Sequence, residues 1–237
     1  MRLLLTRPVE DSRRLAERLE RLGHSVMIEP LLSIDPLRPA LQLAGVQALA
    51  VTSRHALLAD PRLFALPLFA VGGATAATAR SLGYREVVDA DGDAEALIAL
   101  IRHRVDPEAG AVLHLAGEAS SALAALGAAG FVLRVARCYR ALPVPALSPA
   151  CREALARNRL DGATFLSPKT AETFVRLARE SGVAHGCRGL AAFCLSAAVA
   201  GMLDSRSWRR VVVAARPRLE DLIAAIAATE QEERPRR

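Results

Sequence analysis

The sequence predicts an α/β fold made of two similar domains with parallel sheets. Short apolar runs alternate with amphipathic helical patterns along the whole chain, and most of these runs end in small or hydroxylic residues. The order of motifs in the first half recurs in the second. Strands of about five residues that alternate with helices are typical of parallel sheets. With 237 residues, of which 52% are hydrophobic, the chain has enough apolar surface for one large domain or two small ones.

The first strand and helix set the pattern for the rest of the chain. Residues 3–6 are a predicted strand, and residues 8–22 are a predicted helix with leucines on one face and charges on the other. Gly23 ends this helix, and the next predicted strand is 25–28. The further predicted strands are 47–52, 68–71, 87–88 and 111–115, and the further predicted helices are 74–82, 94–104 and 120–129.

An internal repeat relates the two halves. Residues 46–58, VQALAVTSRHALL, resemble 160–172, LDGATFLSPKTAE, and this alignment places Ser53 over Ser167. Further pairs are 71–76 with 195–200, 84–88 with 208–212, 95–101 with 220–226 and 3–7 with 112–116. The repeat predicts two α/β domains of about 100 residues each. The alternative explanation is that all α/β units share the same order of strands, loops and helices.

The composition limits the possible locations and partners. No apolar stretch reaches the roughly 18 residues of a membrane span, and the start of the chain lacks the layout of a signal peptide, so we expect a cytoplasmic protein without membrane association. A net charge of +6 suits a polyanionic partner. Because aromatic residues are only 4%, single-stranded nucleic acid is an unfavourable candidate. The charged tail 230–237 is predicted to be disordered.

Neither a metal site nor a known catalytic motif is evident. The four cysteines contain no CxxC pair, and the five histidines form no HxxxH or HExxH pattern, so we expect no metal. The chain also lacks GxSxG, GxxxxGK[ST] and GxGxxG. His24, His55 and His114 are isolated, and a structural role is the simpler interpretation of each. These absences predict a binding scaffold with few reactive side chains.

The loops that follow the predicted strands are the candidate ligand-binding positions. Most of them open a helix, and the unpaired amides of a helix N-terminus bind carboxylates or phosphates. Simple N-capping is the alternative explanation for any single loop. The candidate binding residues are Thr6, Arg7, Thr52, Ser53, Gly72, Gly73, Thr75, Gly117, Ser167, Pro168, Lys169 and Ser196.

Six segments in their order resemble one enzyme family. They are LLLTRPVEDSRRLAERLERLGHSVMIEPLLSI, ALAVTSRHAL, FAVGGATAATARSLGY, VLHLAGE, CYRALP and GATFLSPKTAETFV. Together they resemble the uroporphyrinogen-III synthase family from residue 1 to about 226. Each motif is weak by itself, but their order and spacing make the resemblance specific.

The resemblance implies a particular architecture and substrate. Two similar three-layer, flavodoxin-like domains are expected, joined by a two-stranded connector. One domain comprises 1–31 and 144–237, the other comprises 39–136, and the connector strands are 32–38 and 137–143. The implied substrate is hydroxymethylbilane, a linear tetrapyrrole with eight carboxylates, which binds in the cleft between the domains. The family uses no cofactor.

The resemblance also implies roles for individual residues. Tyr139 matches the family's connector tyrosine and is expected to assist departure of the substrate hydroxyl, because a phenol can donate a proton or hydrogen bond at neutral pH. Packing of the hinge is the alternative role for Tyr139. Arg7 and Lys169 are candidates to pair with substrate carboxylates.

Several positions depart from the family pattern. Ser196 and Val199 stand where the family commonly has Gly and Thr, and His55 lies in a loop that is usually Thr-Ser-x-Asn-Gly. Two alternatives to an active synthase therefore stay open: a non-catalytic relative that binds a tetrapyrrole or another anionic small molecule, and an unrelated two-domain binding protein. We expect a monomer that makes at most transient contact with the upstream bilane-forming enzyme.

Overall fold

The computed structural model describes residues 1–233, and the chain divides into two compact units. The first unit consists of Met1–Ser33 and the chain from Leu142 onward, and the second consists of Ile34–Ala141. The predicted disordered tail was wrong at its start, since 230–233 belong to the last helix. Its remainder, 234–237, lies outside the described residues.

Eleven strands and eight α-helices make up the described chain. The strands are β1 (Arg2–Leu5), β2 (Ser25–Ile28), β3 (Leu32–Pro36), β4 (Val46–Val51), β5 (Leu68–Ala70), β6 (Val87–Asp89), β7 (Ala111–Gly117), β8 (Leu133–Pro143), β9 (Gly162–Phe165), β10 (Ala191–Cys194) and β11 (Arg210–Val213). The helices are α1 (Val9–Arg21), α2 (Gly73–Leu82), α3 (Ala94–Arg104), α4 (Ala125–Ala128), α5 (Pro149–Ala156), α6 (Pro168–Glu180), α7 (Ala197–Ala200) and α8 (Leu219–Glu233).

The strands form two sheets with matching orders. The first sheet has the order β11-β10-β9-β1-β2, and its neighbouring strands pair in parallel. The second has the order β3-β8-β7-β4-β5-β6, with parallel pairing from β8 to β6. The sequence repeat aligns β9 with β4, β10 with β5, β11 with β6 and β1 with β7, and each aligned pair occupies the same position in its sheet. The predicted α/β class with parallel sheets is confirmed.

In each unit, helices cover both faces of the sheet. In the first unit, Leu4 packs with Phe165 and Phe174, on the side of α5 and α6. Leu3 and Leu5 point the other way and pack with residues of α1 and α8. The second unit repeats this arrangement, with α2 on one face and α3 and α4 on the other. Because successive residues of a strand face opposite sides, strands buried on both faces are almost continuously apolar.

The predicted helix over 120–129 was too long. The structure has a helix only at Ala125–Ala128, because the Arg137 guanidinium takes the Ser120 carbonyl at 2.6 Å and Gly130 adopts φ +87° just beyond the helix. The contact with Arg137 therefore overrides the helix propensity of this segment. Strand β8 is, conversely, longer than the predicted extended segment 137–143 and pairs with β7 from Leu133.

A buried carboxylate holds the start of α5 against the end of β2. Glu29 is 5% exposed, and its two carboxylate oxygens accept from the Ser148 amide at 2.7 Å and the Ser148 hydroxyl at 2.6 Å. The Ser148 hydroxyl in turn accepts from the Cys151 amide and caps the helix. This arrangement gives hydrogen-bond partners to a polar group that would otherwise be costly to bury.

Candidate functional site

The predicted binding residues lie at the carboxyl edges of the two sheets. In the first unit, Thr6 follows β1, Ser167 follows β9 and Ser196 lies two residues after β10. In the second unit, Ser53 lies two residues after β4 and Gly72 two residues after β5. Because the carboxyl ends of parallel strands meet at the same edge, each unit brings its own set of loops together.

Two of these residues in the first unit have structural partners. Thr6 is fully buried, and its hydroxyl donates to the Thr164 carbonyl at 2.6 Å across the β1–β9 pair. A ligand at this position would have to use the backbone or the neighbouring Arg7. The Arg7 guanidinium lies 3.3 Å from the Asp11 carboxylate one turn along α1. This pair keeps the Arg7 side chain at the edge, where it is about one-third exposed.

The Ser167 loop is a capped helix start. The Ser167 hydroxyl accepts from the Thr170 amide at 3.2 Å and lies 2.6 Å from the Thr170 hydroxyl. Pro168 occupies the first position of α6, where a missing N–H costs nothing, and Lys169 is exposed on the first turn. Ser196 precedes α7 without a side-chain cap bond, although serine is a good cap.

The corresponding loops of the second unit follow β4 and β5. Ser53 caps the short 3-10 turn Arg54–Ala56 and directly follows the half-buried Thr52. Gly72 precedes α2, and a Cβ placed on it would meet no atom within 4 Å. A Cβ on Gly73 would lie 3.2 Å from the Asp89 carboxylate. Thr75 is buried and supports the first turn of the helix rather than facing solvent.

Tyr139 lies beside Gly117 on the neighbouring strand. The two residues are opposite each other in the β7–β8 register, after a local irregularity at Ala116, and the Glu118 amide donates to the Tyr139 carbonyl at 2.8 Å. A Cβ on Gly117 would lie 2.8 Å from Tyr139 Cζ and 3.0 Å from its hydroxyl oxygen. Glycine is therefore required here for the close approach of the phenol end of the ring. The sequence predicted both residues but not this contact.

Arg137 is a site residue that the sequence did not single out. Its guanidinium donates to the Gly117 carbonyl at 2.8 Å and to the Ser120 carbonyl at 2.6 Å. It thereby fixes the loop that follows β7. The signal available in the sequence was the alternation along β8, in which Arg137 faces away from the buried Ala136 and Cys138.

His114 is the most strongly perturbed histidine of the second unit. It lies in the middle of β7 at 1% exposure, and burial, reinforced by the Arg137 charge, lowers its pKa to about 4. Within residues 1–233 its Nε2 atom has no hydrogen-bond partner. His114 is thus a neutral core side chain at physiological pH, as the structural interpretation of this isolated histidine predicts.

We expect the free energy of unfolding to fall as the pH is lowered from about 6.5 towards 4. The unfolded state takes up a proton at His114 near pH 6.5, whereas the folded state resists it until about pH 4, so acid favours unfolding by about 2 kcal/mol at pH 5. Urea unfolding at about pH 7.5 and pH 5 measures this loss in the native chain and in His114→Leu. His114→Leu should lose less unfolding free energy between these pH values than the native chain. It should still lose some, because burial also lowers the pKa of His24. An identical loss in both proteins would contradict the assignment to His114.

The described residues limit other kinds of site. Between residues 1 and 233, no three His, Cys, Asp or Glu side chains come together as metal ligands. All four cysteines are buried thiols. In the same part of the chain, no helix is both long and apolar enough to cross a bilayer.

Comparisons with known proteins agree on one family. The family model described as uroporphyrinogen-III synthase HemD matches residues 13–224. The crystal structure of uroporphyrinogen-III synthetase from Helicobacter pylori is similar with a TM-score of 0.64 and 17% identity, over 97% of this chain and 100% of that one. A mutant uroporphyrinogen III synthase from Thermus thermophilus gives a TM-score of 0.56 and 18% identity, over 98% and 100%. No curated protein sequence matches significantly. Since the family model spans most of the sequence, the chain belongs to the uroporphyrinogen-III synthase family.

Proposed function

We propose that the chain catalyses the reaction of its family with Tyr139 as the catalytic residue. The reaction closes hydroxymethylbilane into uroporphyrinogen III, with loss of water and inversion of the last pyrrole ring. The observation that carries the assignment to Tyr139 is its position, where the phenol lies over Gly117 at the carboxyl end of β7. Open α/β sheets bind ligands at this edge.

The chemistry needs orientation more than reactive side chains. The Tyr139 hydroxyl donates a proton to the departing hydroxyl, the C–O bond breaks, and water leaves together with formation of an azafulvene-like cation. The Tyr139 phenolate regains a proton when the newly closed ring loses one. The substituted carbon of the last ring then attacks, and a spiro intermediate rearranges so that this ring is inverted. Because the bilane closes unaided to the symmetric isomer, the protein must hold the last ring for attack at the crowded carbon.

The eight carboxylates of the substrate match the charge of the loops. Arg7 and Lys169 supply cations at the edge of the first sheet. The N-termini of α2, after Gly72, and of α6, after Ser167, supply backbone amides and the positive ends of helix dipoles. We therefore propose that these loops contact substrate carboxylates, with Thr52, Ser53, Gly73 and Thr75 shaping the loops of the second unit.

The departures from the family pattern are compatible with activity. Val199 is 1% exposed in the core of the first unit, so the hydroxyl lost there would have faced the interior rather than a ligand. Ser196 adds one small side chain at the start of a single helical turn. The alternative function is that of a non-catalytic relative that binds a tetrapyrrole or another anionic small molecule.

We further propose that each unit is a folding domain, with boundaries near 1–31 plus 144–237 and 39–136. The division of the chain after Ser33 and after Ala141 supports these boundaries. We propose a cytoplasmic monomer that requires no cofactor and accepts the unstable bilane in transient contact with the enzyme that makes it.

The decisive experiment is a coupled assay that resolves the product isomers. Hydroxymethylbilane is generated in situ, the protein is added, and the oxidised uroporphyrins are separated. We expect mostly type III product, formed faster than the type I product of a reaction without protein. Type I product at the uncatalysed rate would contradict the synthase activity. The remaining function would then be that of a binding protein, which titration with a tetrapyrrole would test.

We expect Gly117→Ala to lower kcat about tenfold in this assay without unfolding the protein. The added methyl group would lie 2.8 Å from Tyr139 Cζ, and the ring end is the part that can move away. Displacement of the phenol should reduce turnover more than it changes KM. Gly127→Ala is the matched control in the same unit, since its Cβ would meet no atom within 4 Å. Equal kcat values for the two variants would contradict a requirement for this ring position.

A further inference from the structure

The Tyr139 ring has a second neighbour in the same unit. The imidazole of His55 packs against it with ring centroids 5.8 Å apart and a tilt of 59° between the planes. Aromatic pairs at this separation and tilt attract each other beyond simple burial of area. Gly117 lies against the hydroxyl end of the ring, and His55 therefore contributes a separate aromatic contact.

The backbone around His55 is anchored by its own loop. The Ser53 hydroxyl accepts from the His55 amide at 3.4 Å, and the Ser53 carbonyl accepts from the Ala56 amide at 3.0 Å. Ala56 is fully buried in the core of this unit. A turn that is capped at its start and buried at its end presents the intervening side chain in a defined direction.

We propose that His55 is a positioning residue for Tyr139, and that it acts through the contact between the two rings. This inference rests on the catalytic role of Tyr139 in the proposed function. The ring contact with His55 restricts where the phenol oxygen lies, and the lack of a Cβ on Gly117 leaves room for it at that position. Proton donation to a leaving group depends steeply on that position. A planar side chain should therefore be needed at position 55.

The kinetic test compares His55→Ala with His55→Phe and with Tyr139→Phe. We expect His55→Ala to lower kcat about tenfold with KM within about twofold, and His55→Phe to recover most of the lost turnover. In the Tyr139→Phe background, His55→Ala should cause no further loss, because the phenol it positions is already gone. His103→Ala, on the exposed last turn of α3, is the control for removal of a histidine.

A second test observes the ring without relying on activity. The chain has two tyrosines, so 3-fluorotyrosine labelling gives resonances for Tyr84 and Tyr139, assigned with Tyr139→Phe. His55→Ala should shift the Tyr139 resonance. Tyr84 is the internal reference, since it is 3% exposed and its hydroxyl donates to the Leu58 carbonyl at 2.9 Å.

The outcomes separate the two proposals. A Tyr139 resonance that does not move in His55→Ala would overturn the positioning role, as would kinetic losses that multiply in the double variant or a failure of His55→Phe to recover turnover. If the native chain forms no type III product, the proposed function fails, whereas the fluorine spectra still decide whether His55 contacts the Tyr139 ring. Turnover unaffected by Tyr139→Phe would reject the catalytic role of Tyr139 and, with it, any positioning role in catalysis.

Discussion

Tyr139→Phe is expected to lower kcat for uroporphyrinogen III formation about 100-fold while KM changes little. Removing a general acid costs about 10²-fold to 10⁴-fold, and the lower end applies because the bilane also loses its hydroxyl without help. The phenyl ring of the variant keeps the contacts with Gly117 and His55, so the fold should be retained. The change therefore removes the hydroxyl and little else.

Measurement of both isomers makes this test sharp. If Tyr139 assists departure of the hydroxyl, the variant should form type III slowly, with a rising share of type I from bilane that closes in solution. Tyr84→Phe is the matched control, because it removes a phenol hydroxyl that donates to the Leu58 carbonyl at 2.9 Å. That variant should lose about 1 kcal/mol of stability and keep its kcat. A normal kcat in Tyr139→Phe would leave packing of the strand as the role of the tyrosine.

The hydroxyl groups singled out by sequence have mainly structural partners. Thr6 bonds the neighbouring strand, and Ser53 and Ser167 cap the turn and helix that follow them. Capping and anion binding are compatible at one helix start, because a serine cap satisfies only one of the first amides and leaves others for a ligand. The proposed site therefore consists of backbone amides that these side chains hold in place, supplemented by Arg7 and Lys169.

The sequence predicted most of the fold because local pattern and tertiary packing agree along most of the chain. Helix α3 has a capping aspartate at Asp93 and apolar residues at helical spacing, and its bounds match the prediction. The helix predicted over 120–129 was too long because the Arg137 guanidinium, distant in sequence, donates a hydrogen bond to the Ser120 carbonyl. Periodicity carries no information about such a contact.

The candidate site was predictable only in part for a related reason. Small and hydroxylic residues at strand ends mark the sheet edge, and they can be recognised one loop at a time. The contact of His55 with Tyr139 joins residues 84 positions apart (139 − 55 = 84), and it depends on the sheet order that places β7 between β4 and β8. The pairing of Glu29 with Ser148 joins more distant positions still. Neither pair has a local signature that a single sequence would reveal.

Gly186→Ala is expected to lower the free energy of unfolding of the first unit strongly. Gly186 lies in the 3-10 turn Ala184–Gly189, which packs against α5. A Cβ on this residue would overlap the Leu155 carbonyl oxygen, and it would lie 2.8 Å from the Leu155 carbonyl carbon and 3.3 Å from its Cα. All three atoms belong to the backbone near the end of a helix, so no side-chain rotation can relieve the overlap.

We expect Gly186→Ala to cost about 3 kcal/mol or more, because either the turn or the end of α5 must move out of a close-packed core. Urea unfolding followed by the fluorescence of Trp208 measures the effect, since this single tryptophan is buried in the same unit with its ring centroid 5.6 Å from that of Phe165. Gly201→Ala is the matched control. Its φ of −61° suits alanine, and its Cβ would make only an ordinary contact at 3.5 Å, so we expect unchanged or slightly higher stability. Coincident unfolding curves for the two variants would show that the turn can move away from α5 at little cost, and the close approach at Gly186 would then have no energetic importance.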